Sequence, residues 1–179
     1  GENWDEMLAG LNVYERKALH LATSVRSFRT PHLAAFVKAV LDADTDEAKR
    51  LLMCIKDKYP IVLTRDLNKA KDWVRENSPG TTRYGLLASS GAIRLKPEGI
   101  FVKNDVAVEN WFLNGKDDVR SSYMLEDVVT EFDIQGLELD YSVVAWDADY
   151  RFVNGEWTYN NFVGNRWNAV SSEERKLYL

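Results

Sequence analysis

Two apolar runs stand either side of the segment 130–140, TEFDIQGLELD: Val128 and Val129 lead into it, and residues 141–146, YSVVAW, lead out. Short β-branched and aromatic runs bounded by polar, glycine-bearing turns read as strands. With a short polar turn and room for one helical turn between them, the two runs are expected to be buried, neighbouring strands of an α/β sheet. Ligands of open α/β sheets collect beyond the carboxyl ends of the strands. Thr130, Glu131, Asp133, Gln135 and Glu138 therefore form a candidate site.

At 179 residues, 45% hydrophobic and with six Trp, the chain can bury one substantial core. One domain over residues 1–179 is expected. No run approaches the roughly 20 apolar residues that span a bilayer, and the opening GENWDEMLAG has neither the basic flank nor the apolar stretch of a signal peptide. The expectation is a soluble, cytoplasmic protein with no membrane partner. The single cysteine, Cys54, lies in the run LLMCI and reads as an inert core thiol, and with only two His the chain is expected to hold no metal centre. The formal net charge is −5, but residues 1–60 carry nine basic and nine acidic side chains, 61–120 ten and eight, and 121–179 four and eleven. A nucleic-acid contact would favour the first two thirds.

Helix signals come first along the chain. Asn12 and Glu15 suggest one start, and residues 22–28 a short strand. Pro31 after Thr30 opens a helix whose Leu33, Phe36, Val37, Val40 and Leu41 recur on one face. Asp44 caps the next, with Ala48, Leu51, Leu52 and Ile55 inward. From Pro60 the rhythm turns to strand and helix: residues 60–64, PIVLT, read as a fully buried strand, and Asp66 as the cap of a helix bearing Leu67, Ala70, Trp73 and Val74. A βα unit of this kind favours a parallel sheet. Residues 84–88, YGLLA, are the next strand, and the glycines and proline of SSGAIRLKPEG argue against a regular element after it. Residues 103–118 are ambiguous, with Trp111, Phe112 and Leu113 expected inside. Asn154–Gly155 favours a type I′ turn, so 147–154 and 156–162 read as a hairpin. Ser171 and Glu174 resemble a capping box near the C-terminal end.

Several chemistries lack their residues. A phosphate-binding P-loop needs a glycine-rich stretch ending in Gly-Lys and then Ser or Thr, whereas the one Gly-Lys pair, Gly115 and Lys116, precedes Asp117. No GxSxG elbow or HExxH pair is present. Glu131, Asp133, Glu138, Asp140, Asp147 and Asp149 could share a divalent ion with a substrate phosphate, as in a small carboxylate-dependent nuclease, or could simply be acidic strand ends.

The ordered set of segments resembles a family. LATSVRS looks like motif IV of superfamily 1 helicases of the UvrD and Rep type, and TEFDIQGLELD like their motif V, in which a Thr stands six residues before a Gly followed by Leu and Glu. PIVLTRDLNKAKDWV falls between them in the right order. More closely, TRDL, RYGLLASSGAIRL, WFL, RSSYMLED and TEFDIQGLELD together resemble the helicase-like domain of the Schlafen group III type, over nearly the whole chain.

That resemblance implies an α/β, RecA-like domain of the P-loop NTPase type, with a mostly parallel sheet, a helical N-terminal part and a C-terminal β-hairpin. It would be the second RecA-like half of an ATP-dependent DNA or RNA helicase. Walker A and B would lie upstream and the motif VI helix just beyond Leu179. ATP and Mg²⁺ would be held mainly by the N-terminal RecA-like domain of the same parent chain, and this half alone would neither bind them tightly nor hydrolyse ATP. Arg26, matching the motif IV arginine, would reach the γ-phosphate as an arginine finger. Glu138 would accept a hydrogen bond from a ribose hydroxyl, Gly136 would let the backbone approach the nucleotide, and Thr130 and Gln135 would lie near the cleft. Phe132 and Gln135 depart from the His and basic residue common at those positions. Single-stranded DNA or RNA would cross another surface, at Thr64, Arg65, Ser89 and Ser90, whose hydroxyls and guanidinium suit phosphate. Trp111 could stack a base or fill the core. Arg26 also reads as a surface strand-end arginine, Glu138 as a charge at a helix start, and the whole chain as a non-catalytic interaction module on a degenerate RecA-like scaffold.

Overall fold

A computed structural model describes residues 31–170. Arg26, the strand expected at 22–28 and the caps expected at Asn12, Thr30 and Ser171 lie outside the described residues. The chain divides into two compact units, Gly1–Tyr59 and Pro60–Leu179, taken separately here.

In the first unit, α1 (Pro31–Leu41) and α2 (Thr45–Ile55) pack on each other. Asp44 caps α2 as expected: its carboxylate accepts the Glu47 N–H at 3.1 Å, satisfying a backbone donor that the first turn leaves free. Leu51 and Ile55 are buried. Cys54 is exposed, not a core thiol: on α2 it falls to one side of the stripe formed by Leu51 and Ile55. On α1 Ala39 is buried and Leu33 and Phe36 of the expected apolar face are half-buried, while its Val37, Val40 and Leu41 stay exposed.

The second unit opens with a correction. Residues 60–64 are not a buried strand: no ladder hydrogen bonds join them, and Ile61, Val62 and Leu63 are exposed, Leu63 at 99%. A β-branched run becomes a strand only where a neighbour accepts its backbone groups, and no described strand lies beside this one. The helix after it does form. Asp66 caps α3 (Leu67–Asn77), accepting from the Asn68 and Lys69 N–H groups at 3.0 and 3.2 Å, and Val74 is buried.

The sheet that follows is parallel. Its strands are β1 (Tyr84–Ala88), β2 (Val128–Val129) and β3 (Tyr141–Ala145), in the order β2-β1-β3. The two runs around residues 130–140 are therefore not neighbours: β1 lies between them, with Leu87 opposite Val129 on one side and Val144 on the other. A parallel connection must cross over rather than turn back, and residues 130–140 make that crossing. Its far end is anchored just before β1, where the Arg83 N–H donates to Asp140 Oδ2 at 2.7 Å and the Asp140 N–H to the Arg83 carbonyl at 2.8 Å. β3 is not fully buried but alternates half-buried and exposed residues, with Val144 among the exposed ones.

Tyr84, Leu86, Ala88, Val74, Ile100, Tyr123, Leu125 and Val128 form the core, with Trp73, Tyr141 and Val143 packed against it. The stretch after β1 is more regular than its glycines and proline suggest, since Ile93–Glu98 is a 3₁₀ helix that holds Pro97 and ends on Gly99 at φ 83°. The ambiguous stretch contains the short helix α4 (Val108–Leu113). Trp111 is fully buried and its indole N–H donates to the Asp127 carbonyl at 3.1 Å, whereas Leu113 is 70% exposed, contrary to expectation.

The C-terminal hairpin is part of a three-stranded antiparallel sheet: β4 (Tyr150–Val153), β5 (Glu156–Val163) and β6 (Arg166–Ala169), in that order. Asn154 and Gly155 turn with φ of 53° and 90°, as a type I′ turn requires. The third strand went unforeseen, although Gly164, at φ 64°, and Asn165 are also turn residues. The fold is thus mixed α/β, with one parallel and one antiparallel sheet among the described residues. Among the described residues no helix is long and apolar enough to cross a membrane.

Burial, and then the neighbouring Tyr159 hydroxyl, push the Tyr150 phenol up to about 12. Because the folded value lies above the ordinary one near 10, this contribution to stability is complete below about pH 10 and is lost as pH rises toward 12. Thermal melts between pH 9 and 12 should therefore show a steeper decline for the parent than for Tyr150→Phe. Equal slopes would remove Tyr150 from the alkaline transition.

Candidate functional site at the carboxyl edge of the parallel sheet

The three parallel strands end together, so the residues after Ala88, Val129 and Ala145 share one edge. After β1 come Ser89 and Ser90, after β2 Thr130 and Glu131, and after β3 Trp146 and Asp147. Cross-links hold this edge in one arrangement. Glu131 Oε2 accepts the Ser90 N–H at 2.9 Å, and its Oε1 accepts the Ser90 hydroxyl at 2.7 Å. Asp133 Oδ2 accepts both the N–H and the hydroxyl of Thr130, at 2.7 and 2.8 Å, which turns the chain sharply as it leaves β2. The Ser89 hydroxyl accepts from the Gly91 N–H at 3.1 Å.

A further link brings in an arginine. The Arg94 N–H, on the 3₁₀ helix after β1, donates to Asp147 Oδ2 at 3.2 Å, while Asp147 Oδ1 accepts the Ala148 N–H at 2.7 Å. The Arg94 guanidinium lies over the rings of Phe162 and Trp167, 5.5 and 5.8 Å from their centres. Arg151 approaches the same Trp167 ring at 5.7 Å. Neither arginine forms an ion pair among the described residues. An aromatic face orients a guanidinium without neutralising it, so the charge stays available to an anion.

Ser89, Ser90 and Thr130 thus meet at one edge, although the family resemblance implies nucleic acid for the serines and the nucleotide cleft for Thr130. Gln135, Gly136 and Glu138 lie in the crossing segment; Gly136 takes φ 89°, and all three are exposed. Thr64 and Arg65 precede α3 and are exposed, with the Thr64 hydroxyl accepting the Asp66 N–H at 3.1 Å. The described hydrogen bonds join none of these five to the edge. Arg94, Glu131 and Asp147 carry the arrangement, and the signal for Arg94 was its place three residues past Gly91 in a turn that follows a strand.

Among the described residues no group of three or more His, Cys, Asp and Glu side chains is placed to hold a metal ion. The edge carboxylates are spread out, each engaged by hydroxyl or backbone donors. The site also lacks a ready phosphate cradle, because Glu131 and Asp133 already take the Ser90 and Thr130 donors. Arg94 is the cationic side chain that this edge leaves without an ion pair among the described residues.

The family model described as Schlafen group 3, DNA/RNA helicase domain matches residues 1–177. No curated protein and no solved structure matches the chain. Over nearly its whole length, the chain belongs to this helicase-domain family.

Proposed function

We propose that this member of the Schlafen group 3 helicase-domain family is a RecA-like half of an ATP-dependent machine acting on DNA or RNA, completing a nucleotide site whose phosphate loop belongs to another domain of the parent protein. The observation that carries the reading is the joined carboxyl edge: Ser90 tied to Glu131, Thr130 tied to Asp133, and Arg94 held beside Asp147 with its charge unneutralised. Rigid edges of this kind position groups against a ligand at little cost when the ligand arrives. Arg26 and Arg94 are the candidates for reaching phosphate, Gly136, Gln135 and Glu138 for the nucleotide's sugar and backbone side, and Thr64 and Arg65 for the nucleic-acid backbone. ATP with Mg²⁺ would supply the energy-yielding phosphoryl transfer. This chain's part is to orient phosphate through its arginines and to exclude a second arrangement of the edge.

The isolated 179-residue chain should then show no ATP turnover above background, and the parent protein should hydrolyse ATP faster when single-stranded DNA or RNA is added. Phosphate-release assays on both, with and without Mg²⁺, test this. Hydrolysis by the isolated chain that is abolished by Glu131→Gln would overturn it. The self-satisfied state of Ser90 and Thr130 favours a second reading, a non-catalytic interaction module. That reading gains if the parent binds nucleic acid but its affinity and turnover ignore ATP altogether.

A further inference from the structure

The antiparallel sheet has two unlike faces, which alternation along its strands separates cleanly. One carries Arg151, Thr158, Asn160, Phe162 and Trp167. On it Arg151 donates to Asn160 Oδ1 at 3.3 Å, Asn160 donates to the Thr158 hydroxyl at 3.2 Å, and Arg94 comes down over Phe162 and Trp167. On this face the Arg94 guanidinium covers the two rings.

The pairing of Tyr150 with Tyr159 and of Phe152 with Trp157 puts four aromatic side chains on the other face. Trp146, from the end of β3, joins them. Tyr150 and Trp157 are stacked, with ring centres 4.6 Å apart and planes 11° apart. Trp146 lies 5.9 Å from Tyr150 and 6.0 Å from Trp157, tilted by 31° and 37°. Its indole N–H is taken by the Tyr150 carbonyl, which fixes the ring although it is 57% exposed. Phe152 meets Trp157 edge-on at 5.3 Å and is 51% exposed.

We propose that this face is a stacking platform for the unpaired bases of a single-stranded nucleic acid, with Trp146 and Phe152 as its outer contacts. The inference rests on the helicase-domain reading and deepens it by naming where the strand is held. Charge selects the occupant. Residues 121–179 hold eleven acidic and four basic side chains, yet the platform face of β4–β6 bears Arg166, Asn161 and Asn168 and no carboxylate. A polyanion is thus admitted on this face of an otherwise acidic region, beside amides that can hydrogen-bond to bases or sugars. Flat, fixed and partly exposed rings suit bases, each of which offers a π face whatever its sequence.

The test compares two oligomers of equal length, a thymidine 12-mer and one with abasic sites at alternate positions, binding to the 179-residue chain by anisotropy and tryptophan quenching. Wild type should prefer the base-bearing oligomer by about tenfold or more, the scale of one to two stacked bases. Trp146→Leu combined with Phe152→Leu should reduce that preference to about threefold or less, while leaving the weak, salt-sensitive binding of the abasic oligomer unchanged. Trp146→Phe should retain most of it. Melting temperatures of the variants report whether they fold, and a folded double variant that keeps the full preference overturns the platform while leaving the helicase-domain reading standing. Failure of wild type to bind either oligomer overturns the platform and its nucleic-acid premise together. Self-association of wild type that the double variant abolishes, with equal affinity for both oligomers, would make the face a contact between copies and also overturn the proposal.

Discussion

Gly85→Ala destabilises the sheet-bearing unit by about 2–4 kcal/mol, an effect out of proportion to one methyl group. A Cβ at position 85 would stand 2.5 Å from Cη2 and Cζ2 of Trp111. That ring is completely buried and tethered through its indole N–H to the Asp127 carbonyl, so it cannot swing aside without leaving a buried donor unpaired. Gly85→Val adds bulk on the same strand and should leave the unit largely unfolded. Trp111→Ala removes the obstruction but also the side chain, at about 3–5 kcal/mol. The two changes should be strongly non-additive, because the first clashes with what the second deletes. Urea denaturation of the single and double variants measures this, and a Gly85→Ala midpoint indistinguishable from wild type would disprove the close packing of β1 on α4.

In the parent protein, Arg26→Ala should lower kcat for ATP by about 10³ or more, the range attributed to arginine fingers. A guanidinium that meets the γ-phosphate as charge builds in the transition state alters turnover more than nucleotide affinity. Arg26→Lys should recover little, since an ammonium cannot reproduce the planar fork. Arg94→Ala is the informative comparison, because Arg94 stands at the sheet edge on two aromatic rings. Steady-state ATPase assays with single-stranded nucleic acid, run beside thermal melts, separate the possibilities. Unaltered turnover in Arg26→Ala with a large loss in Arg94→Ala would transfer the finger role to Arg94. Loss accompanied by a collapsed melting temperature would make the residue structural.

The parts legible in the sequence are those decided by a few adjacent residues. Asp44 and Asp66 announced their helices because a cap is a contact over two or three positions, and Asn154–Gly155 announced its turn because positive φ is a local demand. Strand order was not legible. Nothing near 128–129 or 141–145 states that β1 inserts between them, because that pairing is decided across the whole unit. The run 60–64 shows the same limit from the other side: its composition asks for a sheet, and composition cannot supply a neighbour. At the candidate site the strand ends Ser89, Ser90 and Thr130 were found from the positions of apolar runs. The Ser90–Glu131 pair joins residues 41 apart in sequence, and only the parallel register brings them into contact.

The central place of β1 has a consequence for synthesis. Tyr84–Ala88 emerges from the ribosome well before either of its partners, since β2 follows at Val128–Val129 and β3 only at Tyr141–Ala145. At roughly 5–20 residues per second, the interval before β3 is complete amounts to several seconds. Throughout it, Leu86 and its neighbours have a strand's backbone with no ladder to join, the condition in which nascent chains find wrong partners. Early formation of α3 would offer the waiting strand an apolar surface through Val74 and Trp73, which pack in the same core. Slowing translation after residue 88 should then lengthen the vulnerable period and lower soluble yield, whereas slowing it after residue 145 should not.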